Sequence, residues 1–480
     1  MLPQRESYSY EMIRSELTWV VGDDHVQTDC SEKLAHSIDY YWVPEVWHDR
    51  GLKPQVPTFV VHPGSAEEVA KILQIANTYK IPVTPWGGGS GSQGGALPMY
   101  GGISLDTKRL NKVLEIDPVS MTVTAETGII MQQLEWEVEK AGYSTMHYPA
   151  SIGCATLGGF IAHRGTGVLS TKYGKIEDMI MSMEVVTPTG DIINTLPVPR
   201  HASGPDLTQM FCGSEGTLGV VTKATMKIHP IPAARKFHAF LFEDMHGAMV
   251  AGAKLMTSRL QPCVIRLYDN AETAKLIKRV LGIERNGSYL VFGFDGEEAI
   301  VDLQMKKAVE ICKETAIEDL GTDMGQAWWD HRYKFFYPPY MFQLPQAFGT
   351  LDTVATFANI ENVYWGMKNA VKEQFPQATF IGHFSHWYDW GCMLYARFII
   401  DNPPQDAAEA IALYNRIWDV AIRAAIKNGG VINEHHGVGL KLGRIMKDLY
   451  GPAFNVLEGI KKTLDPNNIM NPGKMGFQGV

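Results

Sequence analysis

The stretch Pro85-Trp86-Gly87-Gly88-Gly89-Ser90-Gly91-Ser92-Gln93-Gly94-Gly95 constrains this chain more than any other. Glycine and serine fill eight of its eleven positions. Glycine tolerates φ > 0 and lets a ligand approach the backbone closely. Consecutive exposed N–H groups form a concavity that binds anions, phosphate above all. The loop sits tightly between two apolar runs, Ile81-Pro-Val-Thr and Gly102-Ile-Ser-Leu, which a flexible linker rarely does. The residues therefore point to a phosphate-bearing ligand held by main-chain amides.

Gly89, Gly91 and Gly94 spell G-x-G-x-x-G. In a dinucleotide-binding Rossmann unit that motif opens a helix whose N-terminus holds the pyrophosphate. Here Pro98, Gly101 and Gly102 follow, then a second short apolar run. The pattern reads as strand–loop–strand, so a Rossmann unit is excluded. Phosphate would be gripped by loop amides without a helix end.

The 480 residues suggest two or three domains. A formal charge of −9 argues against a nucleic-acid surface. The cysteines are scattered, with no C-x-x-C, as expected of reduced thiols in the cytoplasm. No stretch has the length of a membrane span, and Met1-Leu-Pro-Gln-Arg-Glu-Ser lacks the apolar core of a signal peptide.

Residues 1–55 read as an N-terminal extension without an evident role. From 56 to 230 a small strand–helix–strand unit leads to the glycine loop, its helix opened by the capping signal Ser65-Ala-Glu-Glu. Short β-like runs follow, then a helix from Met131 closed by Gly142, and a second small-residue loop, Pro149-Ala-Ser-Ile-Gly-Cys-Ala-Thr-Leu-Gly-Gly. Met183 to Ile193 reads as a hairpin, and Asp206 to Val221 as a short helix, a third glycine turn and a strand. From 231 to 428 strands alternate with longer helices, as in a separate α+β domain. Residues 429–480 return to glycine and asparagine turns, which suggests a first domain left and then rejoined.

Taken in order, the first loop, Pro149-Ala-Ser…Gly158-Gly159, Tyr173-Gly-Lys-Ile-Glu-Asp, Gly213-Ser-Glu-Gly-Thr-Leu-Gly and Asp465-Pro-Asn-Asn-Ile-Met-Asn471-Pro-Gly-Lys resemble the vanillyl-alcohol oxidase / p-cresol methylhydroxylase superfamily. The resemblance runs from about Pro57 to Gly473. It implies an α+β protein: a two-lobed α/β FAD-binding domain of the PCMH type with an α+β cap. It implies that Gly87, Gly88, Gly89, Ser90 and Gly91 wrap the FAD pyrophosphate and that Pro85, Trp86 and Ser92 also bind the cofactor. Pro149, Ser151, Thr156, Gly158 and Gly159 would line the flavin, Glu215, Gly216, Gly219 and Val221 the adenosine side, and Asn471 would also contact the cofactor. The first loop lacks the histidine through which some members attach FAD covalently, so the expected FAD is non-covalent. The partners expected are a small-molecule substrate and, to reoxidise the flavin, oxygen, a quinone or an electron-transfer protein. A homodimer is the assembly to test.

Two branches are nearest: the D-lactate/glycolate dehydrogenases and the alkylglycerone-phosphate synthases. Ser385-His-Trp-Tyr-Asp-Trp-Gly and His435-His436-Gly-Val-Gly resemble the synthase. The synthase has a histidine where this chain has Glu434, and an arginine before its Thr-Leu-Asp/Glu-Thr motif where Pro339 to Pro345 has none. Glu434-His435 is closer to the Glu-His-Gly of the dehydrogenases. The expected function is thus FAD-dependent oxidation of an alcohol or 2-hydroxy acid, with synthase-like transfer without net redox as the alternative.

Oxidising an alcohol carbon requires a base for the hydroxyl proton, and histidine titrates in the right range. Glu434, His435 and His436 lie consecutively in a glycine-flanked segment and are candidates for that work, with a structural histidine pair as the alternative. Tyr388 lies in the motif that carries a functional tyrosine in the synthase; the alternative is a core aromatic. Arg266 could clamp a carboxylate or phosphate, or pair with Asp269 or Asp352. Arg164 and Arg397 are weaker candidate cations. His383, His386, Glu434 and His435 contain metal-binding types, but residues three apart on a strand face opposite sides, so no metal is assigned. The cap is rich in aromatics, including Trp328, Trp329, Tyr333, Phe335, Tyr337, Tyr340, Phe342, Trp387 and Trp390, which suggests a bulky or aromatic substrate.

Overall fold

The computed structural model describes residues 9–336 and 344–480. Tyr337, Tyr340, Phe342 and most of the stretch in which the synthase arginine was sought lie outside those residues.

The first sheet has four strands, and two of its pairings are parallel: Phe59–Val61 with Ile103–Asp106, and Ile103–Asp106 with Val83–Trp86. The helix Ala66–Tyr79 connects the first and third of these segments. Ser65 caps it by accepting from the Glu68 N–H at 3.2 Å, and Val69, Ile72, Leu73 and Ala76 face the sheet. The glycine loop then joins two parallel neighbours with no helix between them, Val83 lying opposite Ile103. That is the strand–loop–strand geometry expected from Pro98 and the paired glycines.

The second sheet has five strands in antiparallel pairs, centred on Val220–Lys227. Its alternating burial fits a strand with one face on a core. The helix Met131–Lys140 closes at Gly142, whose φ of +87° a side chain would strain.

The cap is built on a seven-stranded sheet. Its central strands include Val264–Tyr268, Ser288–Gly296, Thr379–Trp387 and Gly391–Ile400. Ala407–Lys427 is its longest helix, capped by Asp406 and buried along Ala410, Leu413, Tyr414, Ile417, Trp418 and Ala421.

The C-terminal residues return to the first two sheets. Met470 bridges Val83 in parallel, and Asn471 donates its N–H to the Val83 carbonyl at 2.8 Å. Lys461, buried, donates to the carbonyls of Thr217 at 2.9 Å and Met470 at 2.7 Å and pairs with Asp465. The N-terminal residues are equally integrated. Val26–Gln27 is the edge strand beside Phe59–Val61, and Trp42 stacks on Tyr414 of the cap at 4.9 Å.

Removing one partner of a buried ion pair leaves an uncompensated charge, a loss of about 3 kcal/mol. Lys461→Met should therefore lower unfolding free energy by about that amount in urea denaturation at pH 7.

Candidate active site

One long cavity of about 620 Å³ runs between the two FAD-side sheets and the cap. Its first wall is the glycine loop, including Pro85, Trp86, Gly87 to Gly91 and Ser92. The second wall carries Pro149, Ser151, Thr156, Gly158 and Gly159, and the third Glu215, Gly216, Gly219 and Val221. The two loops touch so closely that side chains are excluded. A Cβ on Gly88 would lie 2.0 Å from the Cys154 carbonyl oxygen, and one on Gly87 2.4 Å from Thr156 Oγ1. A helix end also reaches the cavity beside the loop amides. Thr156 caps the short helix Leu157–His163, accepting from the Gly159 N–H at 3.1 Å.

Asn471 clamps the first and third walls together: its Nδ2 donates to the carbonyls of Gly95 at 2.9 Å and Glu215 at 2.7 Å. Glu215 is buried and accepts from the N–H groups of Val438 and Gly439, the latter at 2.8 Å.

At the cap end the cavity meets Arg266, Tyr268, Glu272, His383, His386, Tyr395, Arg397, His435 and His436. Alternation along a strand would separate His383 from His386, but the register of Thr379–Trp387 shifts between Phe384 and Trp387, and both reach the cavity. The expectation that residues three apart must face opposite sides is therefore wrong for this strand.

Each of these histidines leans its Nδ1 on a buried carboxylate. His383 lies 3.0 Å from Glu272, His386 3.2 Å and His435 2.7 Å from Glu434, and His436 2.7 Å from Asp352. Burial alone would raise Glu434, but His386 and Lys175 outweigh it and hold the carboxyl well below its usual range. Burial likewise opposes ionisation of Asp352, yet His436 keeps it low. Ionised carboxylates only accept, so His435 and His436 both donate through Nδ1–H, and a neutral His435 keeps Nε2 as the lone-pair nitrogen. Burial pushes His435 below its ordinary value and His386 down to about 3. His435 and His436 have ring centres 4.0 Å apart.

Asp352 also shapes the turn that carries them. It accepts from Asn433 Nδ2 at 2.8 Å and from the N–H groups of Glu434 at 3.0 Å and His435 at 3.2 Å.

Two candidate catalytic residues stand behind this wall. Glu434 and Tyr388 do not line the cavity; the Tyr388 hydroxyl donates to Glu434 Oε1, and its ring stacks on Trp390 at 4.9 Å. Lys175 donates to the Glu434 carbonyl at 2.7 Å. These groups orient and charge Glu434, which orients His386 and His435.

Arg266 pairs with neither Asp269 nor Asp352. Asp269 accepts from Tyr364 at 2.7 Å, and Asp352 holds the histidine turn. Arg266 Nε is buried with no hydrogen-bond partner, and burial lowers the guanidinium's pKa. Arg164 is structural: it donates to the carbonyls of Cys212 at 3.0 Å and Gln209 at 3.1 Å, away from the cavity. Arg397 reaches the cavity paired with Glu272.

Sequence reasoning missed Glu272, Tyr268, Arg332 and Asp39, all of which line the cavity. Glu272 follows the strand that carries Arg266 and is fully buried between Arg397 and His383. Arg332 stacks on Trp329 at 3.9 Å and Tyr333 at 4.6 Å, and makes no ion pair among the described residues. Its place four residues after Trp328 in an aromatic run was the available signal.

A glycine-walled cleft that opens onto carboxylate-oriented histidines defines an enzyme built around a nucleotide-bearing cofactor. Residues 57–196 match the FAD binding domain and residues 231–475 the C-terminal domain of FAD linked oxidases. The chain belongs to the FAD-linked oxidase family. The alkyldihydroxyacetonephosphate synthase of Trypanosoma brucei brucei is 30% identical over 96% of this chain and 80% of its own. The glycolate oxidase subunit GlcD of Bacillus subtilis is 28% identical over 96% of each. A structure of p-cresol methylhydroxylase with substrate bound superposes with a TM-score of 0.78 at 19% identity, over 98% of this chain and 97% of that one, and shows the same PCMH-type fold. Among the described residues no helix is long and apolar enough to cross a membrane.

The residues present fit FAD. The side-chain-free contacts at Gly87 and Gly88 leave a cradle beside Ser90 and Gly91, where a Cβ on Gly91 would meet nothing closer than His163 at 3.5 Å. Gly88→Ala should weaken FAD binding to the apoprotein at least about tenfold, or ~1.4 kcal/mol, in a fluorescence titration. Gly153→Ala is the control, because its Cβ would meet nothing within 4 Å.

Proposed function

We propose that this protein dehydrogenates a 2-hydroxy acid or related acidic alcohol with a bulky or aromatic body, using non-covalent FAD. One observation carries the reading: the cap end of the cavity combines carboxylate-oriented histidines with two guanidinium groups that make no ion pair among the described residues, Arg266 and Arg332. Cations that line a cavity without counterions select an anionic ligand.

FAD, when bound along the glycine walls, would supply the acceptor for a hydride equivalent from the substrate carbon. Arg266 binds the carboxylate and fixes which face of the substrate carbon turns to the flavin. His435 Nε2 takes the hydroxyl proton, and Glu434 compensates the charge that forms on the imidazole. His436, fixed by Asp352, stands against His435 and the Tyr395 ring at 5.1 Å and supports the orientation. Tyr268, Trp328 and Phe335 give the body of the substrate an aromatic wall and keep water from the reacting atoms. The similarity to glycolate oxidase subunit GlcD and the Glu434-His435 pairing support oxidation.

Mixing with 2-hydroxy acids under anaerobic conditions should bleach the visible absorbance of the flavin. Stable oxidised flavin alongside exchange of an acyl for an alkyl group would overturn the reading in favour of synthase-like transfer. Arg266→Met should raise KM about 100-fold for a carboxylated substrate, the loss of a charge-assisted pair of ~3 kcal/mol.

His435 must be neutral to accept the proton, and burial holds its pKa below 6.5. The rate of flavin reduction should therefore be flat through neutrality and fall only as pH drops below 6.5 and protonates His435. A stopped-flow pH series on the bound flavin reads this limb. A fall already complete at pH 7 would exclude His435 as the base.

A further inference from the structure

The helix Leu157–His163 ends in a side chain that takes no part in the histidine–carboxylate layer. Leu157, Phe160 and Ile161 are its buried residues, and Gly159 and His163, four positions apart, share the face toward the cavity. The His163 ring occupies space that three glycines leave open. A Cβ on Gly95 would lie 3.1 Å from its Nε2, one on Gly91 3.5 Å from the same atom, and one on Gly437 2.5 Å from its Cδ2. Gly91 and Gly95 belong to the first wall and Gly437 to the histidine turn. His163 therefore stands where the second wall meets the other two structures.

Its Nδ1 lies 2.8 Å from the Gly159 carbonyl oxygen. A carbonyl only accepts, so Nδ1 carries a proton, and the neutral ring keeps its lone pair on Nε2. Nε2 makes no hydrogen bond among the described residues, and unlike both ring nitrogens of His147 it is not sealed from solvent. The side chain is half-buried and lines the cavity, so this nitrogen opens onto the cofactor end. Glu215 stands nearby, but its oxygens accept from the N–H groups of Val438 and Gly439. Burial raises the Glu215 carboxyl, and the His163 ring and those two N–H groups oppose the rise.

We propose that His163 is a cofactor-binding residue whose Nε2 hydrogen-bonds the ribityl–pyrophosphate chain of FAD where that chain passes Gly91 and Gly95. A neutral ring accepts there from a hydroxyl. An imidazolium donates to a phosphate oxygen, with Glu215 as its counter-charge. The contact is a side-chain addition to a cradle otherwise made of backbone, and it stands whichever substrate is oxidised.

The test is a titration of apoprotein with FAD, read by quenching of flavin fluorescence, on two variants that separate the ring nitrogens. His163→Asn keeps an N–H near Nδ1 for the Gly159 carbonyl but ends short of Nε2. His163→Gln carries an amide that reaches the Nε2 position and can donate or accept there. His163→Asn should weaken FAD about tenfold, while His163→Gln stays within about threefold of wild type. The apoprotein melting temperatures of both should stay near wild type. The reverse order would show that the ring only ties down the helix end, and equal affinities for all three proteins would likewise overturn the proposal. Exchange of the His163 ring C2–H, followed by mass spectrometry on the wild-type protein, answers the question even if the variants do not fold. It should slow when FAD is bound. An unchanged rate would mean that the cofactor does not touch Nε2.

Discussion

The segment from Asn433 to Gly439 has no regular secondary structure, and its shape is imposed by buried carboxylates. Asp352, from a cap strand, takes two of its N–H groups and the His436 ring. Glu215, from the third glycine turn, takes the N–H groups of Val438 and Gly439. Glu434, within the segment, turns back to His386, Tyr388 and Lys175. Backbone N–H groups that a helix or strand would satisfy are satisfied here by side chains from both halves of the molecule. The histidines are consequently fixed relative to the cofactor walls and the cap at once.

This arrangement explains the electrostatic division along the cavity. Carboxylates are concentrated behind the histidines and are held below their usual range, while burial pushes His386 and His435 down from theirs. The positive groups without counterions face the open space. A protein that merely stored flavin would have no need to bury Arg266 in the cavity without a partner, because desolvating a cation is unfavourable unless something later pairs with it.

Much of this was legible in the sequence. The glycine loops were, because close backbone approach permits few other residues. The helices at Ala66, Met131 and Ala407 were, because their caps and apolar spacing are local. The proximity of the Glu434–His436 segment to the cavity followed from the resemblance. What was hidden depended on tertiary pairing. The bulge near Phe384 turns His386 onto the side of His383, and nothing in Thr379–Trp387 announces it. Tyr388 and Glu434 were grouped with the reacting residues, but their contacts with each other, with His386 and with Asp352 set them one layer back. Residues 1–55 carried no motif, so the burial of Asp39 in a cavity formed by distant loops could not be inferred from its neighbours.

The relatives include a glycolate oxidase subunit and an alkyldihydroxyacetonephosphate synthase, and the layered site suggests how one fold serves both. The cofactor cleft is made of backbone, which substitutions outside glycine barely touch. The histidine–carboxylate layer is made of side chains, and its chemistry turns on single positions. With glutamate at position 434, a buried negative charge stands behind His386 and His435 and favours the imidazolium that proton abstraction creates. A histidine there could not hold both Nδ1–H groups while pairing with Lys175. Replacement would remove the acceptor, free the tautomers and leave the Lys175 charge buried. On the proposed reading, the residue at 434 would decide whether this wall can take up a proton, and the glycine cradle would be indifferent to the outcome.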